Sequence, residues 1–145
     1  MQTIQFFHEG ISRIKINRKA IRIFIFDLIK KESKTCGDIS FIFCSDQYLL
    51  PLNKKYLKHD YYTDVITFNY CENDIISGDI FISAERIRDN YIKHNTEFFN
   101  ELYRVMFHGI LHLIGYNDKT ADEKKLMKEK EDFYLNEFLK QEDVA

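Results

Sequence analysis

The sequence predicts an α+β protein: a single domain spanning residues 1–145, with one mixed sheet of about four strands covered by helices. Three observations carry this expectation. Short β-rich runs (ISFIFC, VITFN, GDIFI) are concentrated before residue 83. Longer segments with apolar residues at helical spacing lie between and after them. The length of 145 residues sits in the single-domain range, and such a chain can build a core without disulfides.

The elements follow in order. Thr3–Phe7 reads as a first strand. Asn17 offers an N-cap to RKAIRIFIFDLIKKESK, where Ala20, Phe24 and Leu28 with Ile21, Ile25 and Ile29 give helical spacing, and Gly37 offers a stop. Ile39–Cys44 is a short buried strand. Asp46 can cap a helix through DQYLLPLNKKYLK, with Pro51 disturbing its middle. Val65–Asn69 and Gly78–Ile82 are further strands, and Ser83 caps AERIRDNYIKHN. Thr96 starts the long apolar helix EFFNELYRVMFHGILHLI, which Gly115 ends. Thr120 and Glu123 form a capping box that opens a charged helix to about residue 140.

Composition excludes several classes. With 21 basic and 23 acidic side chains the net charge is −2, so bulk charge does not hold a polyanion. Residues 1–60 nevertheless carry 11 basic and 6 acidic groups, and residues 61–145 carry 10 and 17. A polyanion finds local attraction only where the first group clusters in space. Hydrophobic residues at 45% exclude a disordered chain. Three cysteines without a CxxC pair argue against a disulfide framework or a cysteine zinc site. The start MQTIQFFHEG lacks the pattern of a signal peptide, and no apolar run approaches the roughly 18 residues of a membrane span, so a cytoplasmic protein is expected.

The chemistry is concentrated in HGILHLIGYND. His108 and His112 lie four apart on the expected helix and so share one face. Gly115 lets the chain reverse, which can return Asp118 toward both imidazoles as a third metal ligand. That leaves an open coordination position, as in catalytic zinc sites. A bare HxxxH also describes two core histidines with hydrogen-bond partners. The full HxxxHxxGxxD has the spacing of the metzincin HExxHxxGxxH pattern, with Gly109 in place of the protease base and Asp118 in place of the third histidine.

These residues resemble the YbeY family of metal-dependent single-strand endoribonucleases. The family motif HGxLHLxGYDH stands here as HGILHLIGYND. Asn53, Tyr56, Asp60 and Thr63–Phe68 are similar to its LNxxYRxxDxPTDVLSF, and Ser77–Ser83 to its LGDIxIS strand. Met127 and Glu131 sit where its last helix carries a similar pair. The resemblance covers roughly residues 39–135. It implies a zincin-like metal helix, one zinc ion per chain, and cleavage of single-stranded RNA rather than DNA. It also implies maturation of the 3′ end of small-subunit ribosomal RNA and ribosome quality control, with the small subunit as partner and no membrane.

The departures matter. Asn117-Asp118 replaces Asp-His, so Asp118 takes the ligand slot by position. The family arginine after the tyrosine is Leu57 here. Arg104 lies one turn before His108 on the same face and is a candidate to neutralise the scissile phosphate; an ion pair with Glu101 or another acid is the structural alternative. Candidate proton carriers are His59, Asp60, Asp64 and Glu101, and the nucleophile, water or the RNA 2′-OH, is left open. Lys54, Lys55, Lys58 and Arg104 are candidates to line an RNA groove. Competing readings are a peptidase, which the empty position 109 disfavours, an assembly factor with structural metal, and an iron-binding facial triad.

Overall fold

The computed structural model describes residues 3–58 and 62–144. Among these, four strands form one mixed sheet: β1 (Ile4–Glu9), β2 (Thr35–Cys44), β3 (Val65–Asn69) and β4 (Ile75–Ser83). Their order is β1-β2-β4-β3, with β1, β2 and β4 parallel and β3 antiparallel to β4. The expected α+β class and mixed sheet are observed.

The helices are α1 (Arg18–Lys31), α2 (Asp46–Leu52, continued by a π-helical turn over Asn53–Leu57), α3 (Ala84–Lys93), α4 (Phe98–Ile114) and α5 (Ala121–Val144). Asn17 caps α1 by accepting from the Ala20 amide, and Ser83 caps α3 by accepting from Arg86. Thr120 and Glu123 exchange the two hydrogen bonds of a capping box at 2.9 and 3.1 Å.

Three local expectations change. Gly37 does not stop α1; the helix ends at Lys31, Ser33 takes φ 63°, and Gly37 lies inside β2 close to Ser77 and the Ile76 backbone. Ser45, not Asp46, caps α2, accepting from Tyr48. Asp46 is buried and receives Ser83 Oγ at 2.6 Å and Arg86 Nε at 3.1 Å, tying α2 to α3. Glu97 occupies the N-cap position of α4 without a side-chain bond, while the Thr96 hydroxyl donates to Glu101.

α4 positions the site. It packs on β3 and β4 and is covered by α1, α3 and α5, so Leu102, Met106, Phe107, Ile110, Leu111 and Leu113 are buried. A helix covered this way is apolar nearly all round. The exception is the stripe Arg104, His108, His112, at 27, 18 and 25% side-chain exposure. Gly109 faces the sheet, where a Cβ would stand 2.8 Å from Ile80 Cγ2. The small residue there serves the close approach of helix and strand.

Candidate metal centre

The stripe opens into a cleft of about 570 Å³ whose walls include Asp64, His94, Arg104, His108, Asp118 and Glu131. Gly115 ends α4 at φ 128°, with its amide bonded to the His112 and Leu111 carbonyls. The chain turns back there, and Asp118 Oδ2 arrives 3.5 Å from His108 Nε2 and 3.4 Å from His112 Nε2. The two imidazole rings stand 4.5 Å apart at 84°. All three donor atoms lie within 4.8 Å of one another, each on a half-buried residue.

The donor set fits a small divalent ion. Nitrogen–oxygen separations of 3.4 and 3.5 Å exceed an ordinary N–H···O bond. They match the edge of a tetrahedron with ligand bonds of about 2.0–2.2 Å, which is roughly 3.3–3.6 Å. Two imidazoles with one carboxylate suit zinc and also iron, so the donors do not by themselves choose between them.

Glu131 of α5 braces the first imidazole. Its Oε2 lies 2.6 Å from His108 Nδ1, and its Oε1 accepts from Arg104 Nη1 at 3.2 Å. A proton on Nδ1 directed at this carboxylate leaves the Nε2 lone pair facing His112 and Asp118. Burial pulls the His108 pKa down, but the bonded Glu131, with Asp118 and Asp64 nearby, outweighs it and holds the pKa above the ordinary histidine value. His112 goes the other way: burial and the neighbouring His108 lower it. Burial also pushes the Asp64 carboxyl up, although His108 and backbone hydrogen bonds oppose it.

A second carboxylate braces the loop after Gly115. Glu32, at the C-cap of α1, accepts from the hydroxyls of Tyr116, at 2.5 Å, and Tyr134, and from Lys130 Nζ at 3.1 Å. Its side chain is 9% exposed. These donors overcome the cost of burial and hold the Glu32 pKa below the ordinary carboxylate value. Tyr116 is thereby fixed two residues before Asp118.

The chain's place among known proteins agrees with this architecture. Residues 7–139 match the family Endoribonuclease YbeY. The chain belongs to that family. It is 51% identical over 121 residues to an endoribonuclease YbeY of Karelsulcia muelleri, covering 83% of this chain and 85% of the relative. It is 46% identical over 136 residues to that of Cytophaga hutchinsonii, covering 93% and 95%. It is also similar to the solution structure of TM1509 from Thermotoga maritima, with a TM-score of 0.68, 27% identity, and coverage of 98% of this chain and 93% of that one.

Of the other expected site residues, Asp64, Glu101 and Arg104 line the cleft. The Arg104 guanidinium is shared by Glu131 and Asp132, at 3.2 and 2.6 Å, rather than by Glu101. Glu101 is buried, accepts from Thr96, and lies 3.7 Å from His94. His59 and Asp60 fall outside the described residues. Lys54, Lys55 and Lys58 belong to the π turn and its end, away from the lining of the cleft, whereas Lys128 of α5 does line it. Cys36 and Cys44 are free and buried, and burial raises their thiols to about 11 and about 12, so both are packing residues. Sequence reasoning assigned no role to Glu32 or Lys128 and gave Glu131 only a family position. Glu131 sits among Glu129, Asp132 and other charges of α5, and no spacing rule separates it from them.

Proposed function

We propose that this chain is a zinc-dependent endoribonuclease that hydrolyses phosphodiester bonds of single-stranded RNA. In the same reading it acts in the cytoplasm on the 3′ end of small-subunit ribosomal RNA and in ribosome quality control. The observation that carries the reading is the His108–His112–Asp118 cluster, inside a cleft, in a chain of an endoribonuclease family. Those three residues would hold the ion. A bound divalent ion supplies Lewis acidity at a phosphoryl oxygen and makes a water more acidic.

The remaining chemistry belongs to the protein. Glu131 keeps the His108 proton on Nδ1 and the ring in one orientation. Glu32 and Tyr116 hold the loop that delivers Asp118. Asp64, whose carboxyl is pushed toward the protonated form, is the cleft group suited to carry a proton to or from the reacting oxygens. Arg104 is the candidate for the scissile phosphate. To reach it, the guanidinium can exchange Asp132, which is 44% exposed, and keep Glu131, which is 13% exposed. Lys128 adds positive charge at the same wall.

The test is cleavage of a single-stranded RNA by zinc-loaded protein, by the chelated protein and by His112→Ala. The proposal requires cleavage by the first alone, and less cleavage of the same sequence in a duplex. Equal activity in all three samples contradicts it. Elemental analysis of the purified protein separates zinc from iron.

A further inference from the structure

The sheet face turned away from α4 carries a chain of aromatic rings that the site does not use. Ile66 and Phe68 of β3 and Phe81 of β4 pack with Leu49 and Leu52 of α2, apart from the main core. Tyr48 stacks on Phe81 at 6.4 Å, Phe81 meets Phe68 edge-on at 5.6 Å, and Phe68 meets Tyr56 edge-on at 5.2 Å. The two ends of this series are open: Tyr48 is 41% and Tyr56 53% exposed. Strand register extends the row, because Phe81 pairs with Ile42 and Ile42 with Phe7, itself 45% exposed.

Positive charge sits beside the rings. Lys54, Lys55 and Lys58 are exposed on the π turn and its end, and Lys55 Nζ lies 5.2 Å from the Tyr56 ring centre. Among the described residues, Asp46 at the start of α2 is paired with Arg86 and Ser83. The edge of this face leads toward the cleft. β3 is an edge strand, and Asp64, which immediately precedes it, lines the cleft. Lys58 and Asp64 are six residues apart, so at most about 22 Å separates them.

We infer that this face is a stacking platform for the nucleotides flanking the cleavage point of a single-stranded RNA. Bases stack on Tyr56 and Tyr48, and the lysines of the π turn meet the phosphates. Exposed rings beside ammonium groups suit a single strand, since every base offers a π face and every linkage a negative charge. A protein partner fits less well, because lysine is depleted in protein–protein interfaces. The inference rests on the RNA reading above and adds where the flanking strand binds.

The experiment is fluorescence anisotropy with a labelled single-stranded RNA of about 12 nucleotides, a length within reach of such platforms. It is run on chelated protein, so that nothing is cleaved. Tyr56→Ala and Tyr48→Ala each weaken binding about tenfold, while Tyr56→Phe and Tyr48→Phe keep it. Lys55→Gln and Lys58→Gln each lower the slope of log affinity against log salt by about 0.7. Thermal melts confirm that the variants fold, and the phenylalanine pair separates stacking from any loss of structure. Unchanged affinity in the alanine variants, as a protein-docking face would give, overturns the platform, as do phenylalanine variants as weak as the alanine ones. The two readings fail separately. A protein that cleaves RNA but whose ring variants bind normally loses only the platform. A protein that binds through the rings but cleaves nothing loses only the nuclease.

Discussion

Glu131, on α5, and Glu32, which meets Lys130 and Tyr134 of α5, both stand beside the site, yet they brace it in different ways. Glu131 touches a residue of the candidate centre directly, at 2.6 Å from His108 Nδ1, and is itself held by Arg104. Glu32 bonds none of His108, His112 and Asp118; it gathers two tyrosine hydroxyls and a lysine and fixes the loop before Asp118. One carboxylate sets the tautomer and aim of a ring. The other sets the path of a backbone. The difference teaches that ligand chemistry and loop placement are separable here, and that each leaves its own signature when removed.

The comparison is broken first at Glu131. Glu131→Ala is expected to weaken zinc affinity by about 10- to 100-fold, the usual effect of removing a carboxylate that orients a ligating histidine, as measured by chelator competition. Its thermal midpoint should move less than that of Glu32→Ala. In Glu32→Ala two hydroxyls and an ammonium lose their acceptor, so a stability loss of about 2–3 kcal/mol is expected in urea unfolding, with a smaller change in zinc affinity. If the two variants show the same ratio of affinity loss to stability loss, the division of labour is wrong.

Acid sharpens the same contrast. The folded-state pKa of Glu32 lies below the ordinary value of 4.5. Its contribution is therefore whole above about pH 4.5 and is lost as the pH falls through the lower folded value. Metal-free wild-type protein should lose stability in that window, and Glu32→Gln should show a flatter curve. Gly109→Ala probes the wall shared by α4 and the sheet. The added methyl meets Ile80 and should cost about 1–3 kcal/mol by urea unfolding. The smallest effect is expected from Asp118→His. It replaces a carboxylate with a neutral imidazole, raises the net charge of the centre, and should move the activity–pH profile downward. An unmoved profile would argue against Asp118 as a ligand.

Much of this was legible in the residues. Apolar periodicity located α1 and α4, and the capping box at Thr120 and Glu123 located the start of α5. The HxxxHxxGxxD spacing was enough to bring three donors together, because a helical turn and a glycine reversal are local geometry. What escaped was non-local. Glu32 reaches Tyr116 across 84 positions, and Glu131 reaches His108 across 23, so neither is visible to a spacing rule. Ser45 and Asp46 are both good caps, and only the tertiary pairing of Asp46 with Arg86 decides between them. Gly109 read as the empty place of a protease base; in the fold it is the residue that lets α4 lie against Ile80.

The central claim is that one divalent ion is held between His108, His112 and Asp118. A crystal structure of zinc-loaded protein tests it most directly. The account predicts anomalous density for a single ion with His108 Nε2, His112 Nε2 and one Asp118 oxygen at about 2.0–2.2 Å. Zinc bound elsewhere, or an Asp118 side chain turned to solvent with the two imidazoles unbridged, would contradict it.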